Sequence, residues 1–162
     1  MACYQRALSL KPSSHTRFNL GLAFQKLGQL EAAEQTYRTL VADQPSYSAA
    51  YQQLGNIQQQ QQQFLSAIHY YQQALQHQPQ VAATWCNLAV AFQAIGDISR
   101  AQTAFQRALQ LNPDYVEALN GLGPYTKSRN WRRRLSSTIS RRWRFSLTTF
   151  LPSLIWETFS FA

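Results

Sequence analysis

Asn19, Gln53 and Asn87 stand 34 residues apart, and Gln25, Gln59 and Gln93 repeat that interval, with Asn56 close to the second set. A carboxamide donates and accepts hydrogen bonds at once, so a row of them can clamp an extended peptide backbone. The same residues also read as a solvated polar face. Catalytic chemistry has less to work with. His15, His69 and His77 form no ligand pair with Cys3 or Cys86 at metal-site spacing. His69 and His77, eight apart on one helix, read as solvated, and Cys86 as a small packed side chain. No glycine-rich stretch resembles a phosphate loop. The chain is therefore expected to have no catalytic residue, no metal and no cofactor, and not to be an enzyme.

The positions around these amides repeat in step. Leu20-Gly21, Leu54-Gly55, Leu88-Ala89 and Leu122-Gly123 share the 34-residue interval. So do Ala33, Ala67 and Ala101; Tyr37, Tyr71 and Phe105; and Pro45, Pro79 and Pro113. A fixed period of that length marks stacked helical hairpins, none of which can bury its apolar face alone. Gly21, Gly55, Ala89 and Ala101 are small enough for two helices of one hairpin to approach closely. Tyr37, Tyr71 and Phe105 fill the space between consecutive hairpins. Gly28 and Gly96 suit a left-handed turn after the first helix. The prolines end the second helix, because proline disfavours helical geometry in the residue before it. Asp114, with Glu117 three residues on, reads as a capping pair for the next helix.

The pattern of a large residue, Leu-Gly, an aromatic, Ala, an aromatic, a small residue and Pro resembles the tetratricopeptide repeat. Trp85, Leu88, Ala89, Phe92, Gly96, Ala101, Phe105, Ala108 and Pro113 show it best. The resemblance spans residues 1–123: a partial repeat 1–12, full repeats 14–47, 48–81 and 82–115, and a partial repeat 116–123. It implies an all-α fold, an α-solenoid of tandem antiparallel helix hairpins wound as a right-handed superhelix. It also implies a non-catalytic protein-interaction scaffold with a protein or peptide partner in the concave groove. The row Asn19, Gln53 and Asn87 resembles the polar ladder of superhelical arrays such as that of the O-linked N-acetylglucosamine transferase family. A second reading is therefore the targeting region of a larger enzyme such as an O-linked glycosyltransferase. The Lys/Asn/Arg set of carboxylate-clamp co-chaperones is missing. Phe18, Leu22, Gln52, Cys86 and Val90 occupy the neighbouring groove positions instead.

The second repeat departs from this pattern. Gln58 to Gln63 run through the end of its first helix and its turn, so that Gln62 replaces the turn glycine and Gln58 stands where Phe24 and Phe92 do. Glutamine is a good helix former, so the hairpin is expected to survive with a less well-defined turn.

Composition changes after Gly123, beyond which no glutamine occurs. Residues 124–162 hold Lys127, Arg129, Arg132, Arg133, Arg134, Arg141, Arg142 and Arg144 against Glu157 alone. Nearly all of the net charge of +8 belongs to this basic Arg/Ser/Trp-rich tail, not to the repeats, which argues against nucleic acid as a partner of the array. Basic residues with interleaved aromatics could bind phosphate backbones, or the tail could lie on an anionic membrane. A third reading is out-of-frame translation of further repeats. Shifting the frame by one base turns the Trp156/Glu157 junction into GGA, glycine alone, 34 codons after Gly123. The Ile155/Trp156 junction then encodes only Leu or Met, as the Leu-Gly pair requires. A repeat hidden in register favours this third reading, with residues 124–162 disordered or poorly packed.

Met1 falls inside what reads as the second helix of a repeat, and neither end carries a polar capping unit. These features suggest a piece of a longer array, whose uncapped ends could self-associate. No basic start leads into an apolar stretch of the kind that marks a signal peptide. Two distant cysteines suggest no disulfide framework, and a cytoplasmic location is expected.

Overall fold

Three helical hairpins and the first helix of another follow one another through residues 13–125, the part of the chain that the computed structural model describes. Helix α1 (Ser14–Lys26) pairs with α2 (Leu30–Asp43), α3 (Ser48–Gln60) with α4 (Phe64–His77), and α5 (Ala82–Ala94) with α6 (Ile98–Leu111). Helix α7 (Val116–Leu122) packs on α6 and runs into a 3₁₀ turn at Gly123–Tyr125. Each helix packs on the next, α3 also touches α5, and α5 touches α7, so the hairpins stack in one direction as an all-α solenoid. No strand occurs among the described residues. The expectations for residues 1–12 and for the tail beyond Tyr125 lie outside the described residues.

Local sequence accounts for the ends of these helices. The Ser13 side chain accepts from the Thr16 backbone N–H at 3.1 Å, and the Asp97 carboxylate accepts from that of Arg100 at the same distance. Each satisfies a donor that the helix itself leaves unpaired. The second helices end at Asp43, His77 and Leu111, and Gln44, Gln78 and Asn112, each before a proline, leave helical geometry with φ near −137°. Steric pressure from the proline ring on the preceding residue explains all three stops.

The turns inside the hairpins follow one geometry. Gly28 has φ 73° and Gly96 φ 82°, in the left-handed region where glycine carries no Cβ penalty. Gln62 takes the same conformation with φ 61°. The backbone N–H groups of Gln29, Gln63 and Asp97 donate to the carbonyls of Phe24, Gln58 and Phe92 at 2.9, 2.8 and 3.0 Å. The second turn is therefore as well defined as the other two, contrary to the expectation from its glutamine run. Its hydrogen bonds hold a residue with a side chain where glycine would sit unstrained.

The opening of α7 also differs from expectation. It starts at Val116 with Tyr115 in the capping position and no side-chain cap. Asp114 lies too early in the chain, and its backbone N–H donates to Asn112 Oδ1 at 3.2 Å within the preceding turn. Glu117 does fall in the first turn, where the helix dipole favours a negative charge.

Tyr37, Tyr71 and Phe105 are fully buried between hairpins. At about 25 cal/mol per Å² and roughly 150–250 Å² per ring, each contributes about 4–6 kcal/mol before entropy is counted. The fit is close: a Cβ on Gly21 would stand 2.4 Å from Tyr37 Cε1, and one on Gly55 would stand 2.5 Å from Tyr71 Cε1. In the third hairpin Ala89 replaces that glycine, and the tip of Phe105 would meet a Cβ on Gly121 at 2.2 Å. Gln58, where an aromatic stands in the other repeats, is buried with its Nε2 donating to Glu34 Oε1 at 3.1 Å and Gln61 Oε1 at 3.3 Å. Glu34 is in turn paired with Arg38 at 2.7 Å. Within the second hairpin, the buried Ser48 hydroxyl donates to the Ala74 carbonyl at 3.1 Å, and at the junction with the third Trp85 Nε1 donates to the Pro79 carbonyl at 2.8 Å. The Ala74 carbonyl also accepts the Gln78 backbone N–H at 2.9 Å, so Ser48 adds a second bond there, whereas Pro79 lies beyond the end of α4.

Candidate functional site

The first helices α1, α3 and α5 carry the periodic amides, all of them half-buried. The ring slots place the tyrosine hydroxyls among these amides. Tyr37 Oη donates to Gln25 Oε1 at 2.8 Å. One period on, Tyr71 Oη lies 2.9 Å from Asn56 Oδ1 and 3.1 Å from Gln59 Oε1, both of which can accept its proton. Asn87 Nδ2 donates to the same Asn56 Oδ1 at 3.1 Å, and Asn56 Nδ2 donates to Gln53 Oε1 at 3.3 Å.

Four of the expected residues, Gln53, Asn56, Gln59 and Asn87, thus form one network that crosses from the second hairpin to the third. Gln25 is tied to Tyr37 in the first. Asn19 and Gln93 share the face without a side-chain hydrogen bond to any described residue. Phe105 offers Gln93 no hydroxyl, and Gly121 stands one period after Asn87 with no amide at all. Sequence reasoning treated Tyr37 and Tyr71 as space fillers and missed their polar role. The available signal was tyrosine at two repeats where the third has phenylalanine.

The thiol and phenol groups of this region are buried and protonated. Cys86 is buried rather than open to a groove, which corrects its expected place among the groove residues. Burial, with a smaller contribution from Glu117, pushes its thiol up to about 12, so it stays protonated. Burial also raises both Tyr37 and Tyr71 above the usual phenol range. His69 and His77 are exposed, His77 stacked on Tyr51 with ring centres 6.0 Å apart. No group of three or more His, Cys, Asp or Glu among the described residues could hold a metal ion. No helix among them is long and apolar enough to cross a membrane.

A second concavity opens on the other side of α5. It is an apolar cleft of about 510 Å³ between α4 and α6, floored by Trp85, Leu88 and Phe92. It is open partly because Ala104 stands one period after Tyr70, whose ring packs into the core at the preceding junction.

Comparisons with known proteins agree with this architecture. Tetratricopeptide repeat profiles match residues 16–47, 48–81 and 82–115. No curated protein matches the chain. Among solved structures, a crystal structure of MamA aligns with TM-score 0.71 at 18% identity, over 90% of this chain and 86% of that one. MamA 41-end from Desulfovibrio magneticus RS-1 aligns with TM-score 0.67 at 16% identity, over 90% and 82%. At such identities the likeness speaks for the fold. The repeat profiles cover more than half of the sequence, and the chain belongs to the tetratricopeptide repeat family.

Proposed function

We propose that this protein is a non-catalytic interaction scaffold that holds an extended peptide segment of a partner protein along the face formed by α1, α3 and α5. The observation that carries the reading is the connected row Gln53–Asn56–Asn87, with Gln59 joined through Tyr71. Solenoids bind through the extended concave surface that stacking creates. Neighbouring helices lie roughly 8–10 Å apart, and an extended peptide advances roughly 3.3 Å per residue. One repeat therefore matches about three ligand residues, so amides spaced by one repeat meet peptide backbone groups at a regular interval. Fixing the amides against one another lowers the side-chain ordering cost of binding.

The test is a display of unstructured peptides selected against the full chain, followed by titration of the selected peptide. The double variant Q53A/N87A should weaken binding by about tenfold or more, equivalent to roughly 1.4 kcal/mol from two lost hydrogen-bonding side chains. Gln72→Ala, exposed on α4 at the edge of the apolar cleft and not in the amide row, should leave it unchanged. Equal affinity for Q53A/N87A and the parent chain would overturn the assignment of this face.

A further inference from the structure

Five amides in this face, Gln25, Gln53, Asn56, Gln59 and Asn87, are not free to turn either edge toward a ligand. The oxygens of Gln25, Gln53, Asn56 and Gln59 all accept hydrogen bonds from within the protein. The amide nitrogens of Gln25, Gln53 and Gln59 make none to any described residue. The phenol proton decides this polarity at both tyrosines, because a hydroxyl that donates into an amide oxygen leaves the NH₂ edge pointing away. Gln25, Gln53 and Gln59 therefore present donors, whereas Asn87, whose nitrogen is taken by Asn56, presents its oxygen, and Asn19 and Gln93 are not fixed. The face also lacks acidic groups: none of α1, α3 and α5 contains Asp or Glu. Of the nearby carboxylates, Glu34 is paired with Arg38, Asp43 with Arg17 and Asp97 with Arg100, while Glu117 of α7 lies close enough to act on Cys86 of α5.

We infer that Tyr37 and Tyr71 are positioning residues that turn Gln25 and Gln59 nitrogen-outward, and that the groove, with Gln53 turned the same way, selects an extended peptide bearing carboxylate side chains over one bearing ammonium groups. The inference rests on the peptide-groove reading above. N–H donors to a carboxylate form charge-assisted bonds about twice as strong as neutral ones. An ammonium group in the same place loses its water and meets the Asn87 oxygen as its one fixed acceptor among these bonded amides.

The test uses the full chain and two capped probe peptides of equal length, one of alternating Asp and Ala and one of alternating Lys and Ala. The tail arginines can also attract the acidic probe, so binding is read at the groove itself, from the side-chain NH₂ resonances of Gln53, Gln59 and Asn87. The Asp–Ala probe should shift these signals at concentrations where the Lys–Ala probe does not. Tyr71→Phe should raise the half-saturating concentration about fivefold or more, the effect of one net hydrogen bond. Helix content should be preserved, because Phe105 already fills the same slot in the next repeat. Without any peptide, the Gln59 NH₂ group should be ordered in the parent chain and lose that order in Tyr71→Phe, while Asn56 stays held by Gln53 and Asn87. Unchanged order would overturn the positioning role. Equal shifts with both probes would overturn the selectivity. Lack of shift with either probe, with order still lost in Tyr71→Phe, would overturn the peptide groove and its ligand class while the orientation stands.

Discussion

Replacing Gln62 by glycine should stabilise the protein, even though it removes a side chain. Gln62 sits at φ 61° in a turn whose counterparts are Gly28 and Gly96. An L-residue in that region costs roughly 1–2 kcal/mol, because its Cβ crowds the following carbonyl. Glycine avoids this, but it returns roughly 0.4–1 kcal/mol through the greater freedom of the unfolded chain. The Gln62 side chain is exposed and makes no hydrogen bond among the described residues, so nothing else is lost. The balance is a gain of about 0.5–1 kcal/mol, or a rise in Tm of roughly 2–6 °C for an array of this size. Thermal melts of the parent chain, Q62G and Q62A followed by circular dichroism would decide it, with Q62A expected to melt with the parent. The converse is equally specific. A Cβ on Gly28 or Gly96 would meet nothing within 4 Å, so any loss in G28A or G96A comes from the backbone and not from a clash. A Q62G melt at or below that of Q62A would refute the claim that strain is held in this turn.

Other substitutions probe the core. Gly55→Ala should destabilise by about 2 kcal/mol, within the range for overpacking, because its Cβ would stand 2.5 Å from the fully buried Tyr71 ring; urea titration measures this. In a chain with Cys3 replaced by Ser, Cys86 should resist a thiol reagent at pH 8 and react fully in denaturant; fast reaction of the folded protein would contradict its burial. Stability should also fall in alkali. Cys86, Tyr37 and Tyr71 all have folded values raised above the unfolded ones, so their contribution is complete below the unfolded values and is lost as pH rises. The decline should begin near pH 9 with the thiol and steepen above about pH 10 with the phenols, at up to about 1.4 kcal/mol per pH unit for each group. Urea midpoints across pH 8 to 11 would show it, and Cys86→Ala should delay its onset.

Much of the scaffold was legible because a 34-residue interval repeats several independent constraints. Each proline stops a helix for a steric reason that depends only on its neighbour, and all three stops fall where expected. Gln62 shows the limit of propensity. Its preference for helix said nothing about a turn whose geometry is dictated by two packed helices and a backbone bond to Gln58. Asp114 misled because a good capping side chain was read without knowing where the turn after Pro113 would release the chain. The amide row was visible as spacing, but its connection was not. Whether Asn56 bonds to Tyr71, Asn87 or water depends on angles between hairpins that no single repeat encodes.

The bond from Asn87 to Asn56 has a practical consequence for anyone who rearranges such arrays. A cut in the loop at Pro79, the natural seam between hairpins, would separate Asn87 from the Tyr71 and Asn56 it works with. Cassettes joined there would divide this cluster, leaving Gln53, Asn56, Gln59 and Tyr71 on one side and Asn87 on the other. The polar cluster of this chain does not respect the boundary of the architectural unit: it is built in one hairpin and closes on the first helix of the next.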